Sequence, residues 1–259
     1  MHVYEDAYPL APTAMFRPPH APAAAYRAVQ RALGLARVVV VQPTGYAFDN
    51  RCTLAALAAL GAEARAIVVV AADIAEAELE RMHAAGVRGV RFMMLPGGVL
   101  PWSALEATAA RIGALGWHID LQLDGRELAQ HEAMLQRLPC RLVVDHVGRF
   151  LGPVTPDGDA VQALLRLLER GACWIKISAP YESSRSGPPG YDDIAWIARL
   201  VAARFPERCL WASNWPHPNR NPPPSDASML AWALDCIAEV ATRRKTLVDN
   251  PAELYGFAP

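Results

Sequence analysis

Short apolar runs alternate with longer amphipathic stretches along the whole chain. Seven runs read as strands: 36–42 ("ARVVVVQ"), 64–71 ("ARAIVVVA"), 87–94 ("VRGVRFMM"), 117–123 ("WHIDLQL"), 140–146 ("CRLVVDH"), 172–178 ("ACWIKIS") and 208–214 ("RCLWASN"), and "MHVY" at residues 1–4 makes an eighth. They are short and rich in β-branched residues, which suits strands buried on both faces. Helical spacing fills 22–34, 51–60, 75–85, 102–115, 126–138, 159–170 and 191–205, with closing helices near 226–238 and 240–256. Strand then helix, eight times in 259 residues, predicts an α/β fold. Specifically, it predicts a single (β/α)8 TIM barrel over 1–259, slightly truncated at its first strand. A doubly wound open sheet is disfavoured, because no Gly-rich fingerprint follows an early strand. Pro-rich stretches at 9–22, 179–190 and 216–224 follow the first, seventh and eighth strands. They read as long loops at the strands' carboxyl ends, where barrel enzymes keep their chemistry.

In a barrel the strand face toward the helices must be apolar, and this fixes the parity. With Ile119, Leu121 and Leu123 outward, His118, Asp120 and Gln122 point to the axis. By the same argument Arg91, Lys176 and Ser178 point inward, and the last axial residues are Arg91, Gln122, His146, Ser178 and Asn214. A buried polar ring is either a satisfied network or a site, and its position favours a site.

Composition then removes alternatives. The formal net charge is −1, so a basic nucleic-acid surface is not expected. No apolar run approaches the length of a membrane helix, and residues 1–20 lack a signal-peptide pattern, so a cytoplasmic protein is expected. The five cysteines are widely spaced without C-x-x-C and read as small core residues in a reducing compartment. There is no G-x-S-x-G elbow and no phosphate-binding loop.

Seven segments in order carry a resemblance across nearly the whole chain: "MHVYED", "QPTGYAFDNR", "GVRGVRF", "DHVGR", "KISAPYESSRSGPP", "WASNWPHPN" and "DNPAELYGF". The chain resembles the amidohydrolase superfamily, in the branch that includes 2-pyrone-4,6-dicarboxylate lactonase and sulfomuconolactone hydrolase. The resemblance implies that His2 matches the second histidine of a first-strand His-x-His, His146 the sixth-strand histidine, and Arg91 and Arg149 two substrate-binding arginines. Asn214 stands where the family's D-W-P-H pattern has a water-activating Asp. The first histidine would lie before Met1, and "MMLPGG" lacks a further arginine of the pyrone lactonases.

The expected function is hydrolysis of a small carboxylated lactone or related cyclic ester. The alternatives are a lactone isomerase of the same branch, or a catalytically degenerate anion-binding barrel. His2, His146, Asn214 and His217 are the candidate catalytic residues. Arg91, Gln122, Arg149, Ser178, Tyr181, Arg185 and Trp215 are the candidate substrate-binding residues, the three guanidinium groups clamping an anion. His217 braces Asn214, lines the pocket or caps its turn, and His146 could instead be satisfied structurally through Asp145 or a backbone carbonyl. A neutral amide at Asn214 accepts no proton, so it orients water or substrate while a histidine takes the proton. His2 and His146 are two good zinc ligands where three are usual, so no tightly bound metal is expected and zinc would be held weakly. The expected partner is a small anionic substrate; a homodimer is left open.

Overall fold

The computed structural model describes residues 1–257. Seven parallel strands follow one another in chain order in one sheet. They are β1 (Val38–Val41), β2 (Ala64–Val68), β3 (Val87–Met93), β4 (His118–Gln122), β5 (Arg141–Val144), β6 (Cys173–Ile177) and β7 (Cys209–Trp211). All seven apolar runs thus form strands, each shorter than its run. Parallel pairing suits their composition, because helices cover such sheets and both strand faces are buried.

Contacts divide the chain into two compact units, residues 1–120 with 214–226, and residues 121–213 with 227–259. In the first unit β1 pairs with β2 from Val38↔Ala64 to Val41↔Ile67, and β2 pairs with β3. Its helices are α1 (Ala23–Leu33), α2 (Arg51–Leu60), α3 (Glu76–Ala85) and α4 (Leu105–Gly113). Val40, Ala66, Ile67, Val90 and Phe92 are fully buried there. A β-carbon at Gly89 would lie 2.7 Å from the His118 carbonyl oxygen, so only glycine permits this approach. The half-buried His83 ring stacks on Trp117 and accepts its indole N–H at 2.9 Å.

The eighth apolar run is a paired segment rather than a full strand. The Met1 amino group donates to the Val39 carbonyl at 3.0 Å, and the Val41 N–H donates to the Met1 carbonyl at 2.9 Å. The His2 N–H donates to the Trp215 carbonyl at 2.8 Å. Tyr4 then leaves this direction by exchanging two antiparallel bonds with Ala21, at 3.0 and 2.7 Å.

In the second unit β5 pairs with β6 and β6 with β7, in register Leu142↔Cys173 and Ile175↔Cys209. Its helices are α5 (Leu128–Leu135), α6 (Asp159–Glu169), α7 (Asp192–Arg204), α8 (Asp226–Cys236, beginning at the boundary), α9 (Val240–Arg244) and α10 (Asn250–Tyr255). On α6 the apolar stripe Val161, Leu164, Leu165 and Leu168 is buried, as its helical spacing requires. The closing "DNP" segment is structural: the Asn250 side-chain amide donates to the carbonyls of Pro206 (2.9 Å) and Cys209 (2.7 Å), satisfying backbone groups beside β7. Cys52, Cys173, Cys209 and Cys236 are buried and all five cysteines are free. Burial pushes the Cys173 and Cys209 thiols up to about 12, which is inert core behaviour.

Candidate functional site

In the first unit, β3 alternates apolar residues with Arg91, which is buried and donates from Nη1 to the Gln42 carbonyl at 2.9 Å. With Thr44, Ala47, Val69 and Met93 it lines a small recess beyond the ends of β2 and β3. One residue before Gln42, the Val41 carbonyl accepts the His2 Nδ1–H at 2.8 Å. A carbonyl only accepts, so the His2 proton is fixed on Nδ1 and Nε2 is left facing Asn214 Oδ1 at 3.2 Å. Two states satisfy that contact. An imidazolium donates from both nitrogens, or a neutral ring accepts from the amide turned to present its NH2. Nε2 of His2 is therefore the position at which a proton can come and go without disturbing the ring.

Asn214 follows β7 in a left-handed conformation, φ 55°, which asparagine tolerates better than most residues. Its carbonyl accepts the His217 N–H at 2.8 Å, so His217 braces Asn214 through the backbone. The His217 ring meets Asp226 at the start of α8, Nε2 to Oδ1 3.2 Å. Trp215 lies against Tyr26, ring centres 5.4 Å apart.

In the second unit, the chain leaving β5 winds through four consecutive left-handed residues: His146 (φ 51°), Val147 (55°), Gly148 (83°) and Arg149 (45°). Left-handed backbone costs roughly 1–2 kcal/mol per non-glycine residue, and such strain concentrates at functional sites. The turn is closed by Gly148 N–H to Asp145 O and Arg149 N–H to His146 O, each 2.9 Å. It is also clamped from the loop after β4, where Leu151 N–H donates to Asp124 at 3.2 Å. A β-carbon at Gly125 would sit 2.4 Å from the Gly148 carbonyl oxygen, so that clamp depends on glycine.

This turn aims His146 at Ser178, just past β6, with Nδ1 and Oγ 3.0 Å apart. Asp145 turns to Lys176 instead, 2.7 Å away, both side chains buried. The Arg149 guanidinium meets Glu182 at 2.9 Å. Gln122 and Ser178 are buried, and Tyr181 is half-buried in the turn Pro180–Glu182.

Arg185 is exposed, and Asp193 on α7 holds its loop. Asp193 accepts Ser184 Oγ (2.5 Å), Ser186 Oγ (2.7 Å) and the Arg185 N–H (2.6 Å). Burial alone would raise the Asp193 pKa, but these donors outweigh it and draw it down to about 2. A carboxylate depressed in the folded state stabilises above its ordinary value near 3.8, and that contribution is lost as pH falls toward about 2. Amide exchange at Arg185 and Ser186, corrected for intrinsic rates, is expected to accelerate between about pH 4 and pH 2, and at neutral pH in Asp193→Asn.

The structure thus groups His2, Asn214, Trp215 and His217 in one unit, and His146, Ser178, Arg149 and Tyr181 in the other. Three side-chain partners were not foreseen as such: the carboxylates of Glu182 for Arg149 and Asp226 for His217, and the Lys176 ammonium for Asp145. Among the described residues no three His, Cys, Asp or Glu side chains gather as a metal cluster. Gln122 and Asn214 carry neutral amides, which are weaker donors to a divalent metal than carboxylate or imidazole. No helix among the described residues is long and apolar enough to cross a membrane.

Known proteins place this arrangement in a family. The chain is 38% identical over 264 residues to a D-galactarolactone isomerase from Agrobacterium fabrum, covering all of this chain and 90% of that one. It is 36% identical to a 2-pyrone-4,6-dicarboxylate hydrolase from Comamonas testosteroni, covering 96% of this chain and 86% of the relative. An apo crystal structure of an Agrobacterium tumefaciens protein superposes with a TM-score of 0.95 at 38% identity, covering 100% of this chain and 94% of the other. The family model described as Amidohydrolase matches residues 1–257. The chain belongs to the amidohydrolase family.

Proposed function

We propose that this chain is an acyl-transfer enzyme acting on the ring carbonyl of a small carboxylated lactone, on a single (β/α)8 barrel whose first strand is the paired segment at residues 1–4. The observation that carries the reading is the His2–Asn214 contact, a titratable nitrogen facing an amide at the end of the last strand. His2 Nε2 takes the proton from the attacking oxygen and returns it to the departing ring oxygen. Asn214 orients the attacking group, and His146 donates to the developing oxyanion while Ser178 fixes its ring. Arg91, with Arg185 at the loop, draws in the substrate carboxylate; Gln122, Tyr181 and Trp215 form the walls.

Two oxygens can attack. A substrate hydroxyl shifts the ring and gives an isomer; water opens it and gives an acid. Asn214 favours the first, because an intramolecular hydroxyl gains an effective molarity of about 10⁵ M or more and needs less help from a base than water does. The likeness to the galactarolactone isomerase supports the same choice. Hydrolysis is the second reading, supported by the likeness to the dicarboxylate hydrolase. Incubation with a panel of hydroxylated, carboxylated lactones, followed by NMR, tests the proposal. A shifted ring is expected, a ring-opened acid would select hydrolysis, and binding of the lactones without turnover would select a degenerate anion-binding barrel. Turnover is expected to survive chelator treatment. The setting is a cytoplasmic one, with a homodimer compatible with this use of the site.

A further inference from the structure

The loops after β5 and β6 meet twice. His146 pairs with Ser178, and three and four residues further along each loop Arg149 pairs with Glu182. The second pair is an ion pair at 2.9 Å, with side-chain exposures of 18% and 13%. A guanidinium so placed is the natural seat for a substrate carboxylate, yet here the protein supplies the carboxylate itself. Glu182 sits in the turn Pro180–Glu182, entered through Ala179 at φ 46° and closed by Glu182 N–H to the Ala179 carbonyl at 3.0 Å. The strained turn that follows Ser178 therefore also delivers Glu182 to Arg149.

We infer that Glu182 is a specificity-determining residue: it occupies Arg149 and restricts the site to lactones that carry one carboxylate. A second carboxylate on the substrate would have to displace Glu182 and would meet its negative charge, and like-charge juxtaposition is an effective means of rejecting a ligand. The inference rests on the lactone reading for its substrate class, while the ion pair stands independently of it.

The test compares the unmodified chain with Glu182→Gln on two lactones of matched ring, one bearing a single carboxylate and one bearing two. Neutralising Glu182 is expected to raise kcat/KM for the dicarboxylate relative to the monocarboxylate about tenfold, chiefly through KM, with the gain shrinking at high salt. A ratio unchanged within about twofold, or an equal fall on both substrates as a purely structural role would give, overturns the inference. A second measurement is independent of turnover: calorimetric titration with the dianion glutarate is expected to show binding about tenfold tighter in Glu182→Gln, and equal binding overturns the inference. If neither lactone reacts with the unmodified chain but glutarate binding still improves in the variant, the lactone reading fails and the charge-selection inference holds. Glu182→Asp retains the charge and guards against loss of fold: it is expected to keep the selectivity of the unmodified chain, and a gain for the dianion equal to that of Glu182→Gln contradicts the proposal.

Discussion

Lys176→Met is expected to destabilise the protein by about 3–5 kcal/mol, and to lower its melting temperature by roughly 10 °C. Lys176 and Asp145 are both buried and 2.7 Å apart. Methionine keeps the length and apolar stem of lysine but removes the ammonium, leaving the Asp145 carboxylate without that charge in a medium where water cannot replace it. Changing both partners is different in kind. Lys176→Met combined with Asp145→Leu removes both buried charges and is expected to recover most of the loss, because a buried pair costs nearly as much to desolvate as its attraction returns. Urea unfolding of the single and double variants measures both. A single-variant loss below about 1 kcal/mol would mean that Asp145 is held by other groups. Activity is expected to fall with stability, since Asp145 immediately precedes the strained turn that carries His146.

Asn214→Asp is expected to change the product rather than only the rate. A carboxylate in that place faces His2 Nε2, which lies 3.2 Å from the present amide oxygen. It would accept a proton from water, as an amide does not, and general-base help of this kind contributes about 10²–10⁴-fold. The ring-opened acid is expected to become the main product on a lactone that the unmodified chain isomerises. His2→Gln is the companion: it removes the titratable Nε2 and is expected to lower both reactions about 10²-fold or more. Equal product ratios in the unmodified chain and Asn214→Asp would show that residue 214 does not select the attacking oxygen.

The sheet was legible because each apolar run has the length and β-branched content of a buried strand, and the intervening stretches have helical spacing. The first segment was harder to read. Its four residues make strand-like bonds at Met1 but turn away at Tyr4 to pair with Ala21, a loop contact that no periodicity announces. Parity placed Arg91, Gln122, His146, Ser178 and Asn214 at strand ends, and the structure puts His2 on Asn214 and His146 on Ser178. Parity could not supply the partners that come from loops. Glu182 lies in "APYESSR", where a carboxylate among small polar residues looks solvated, and only the left-handed step at Ala179 swings it to Arg149. Asp145 next to His146 suggested a carboxylate–histidine pair, but both lie past the end of β5 and the backbone turns left-handed at His146, so His146 meets Ser178 while Asp145 meets Lys176. Arg185 looked like a third clamp, and its loop is indeed pinned, though by Asp193 from α7, a helix residue whose role only the fold reveals.

The most direct test of the account is turnover of a hydroxylated, carboxylated lactone in water labelled with heavy oxygen, read by mass spectrometry and NMR. Transfer to the substrate's own hydroxyl predicts a shifted ring that carries no label. A ring-opened acid carrying one labelled oxygen would contradict that claim and show that water is the attacking group despite the amide at Asn214.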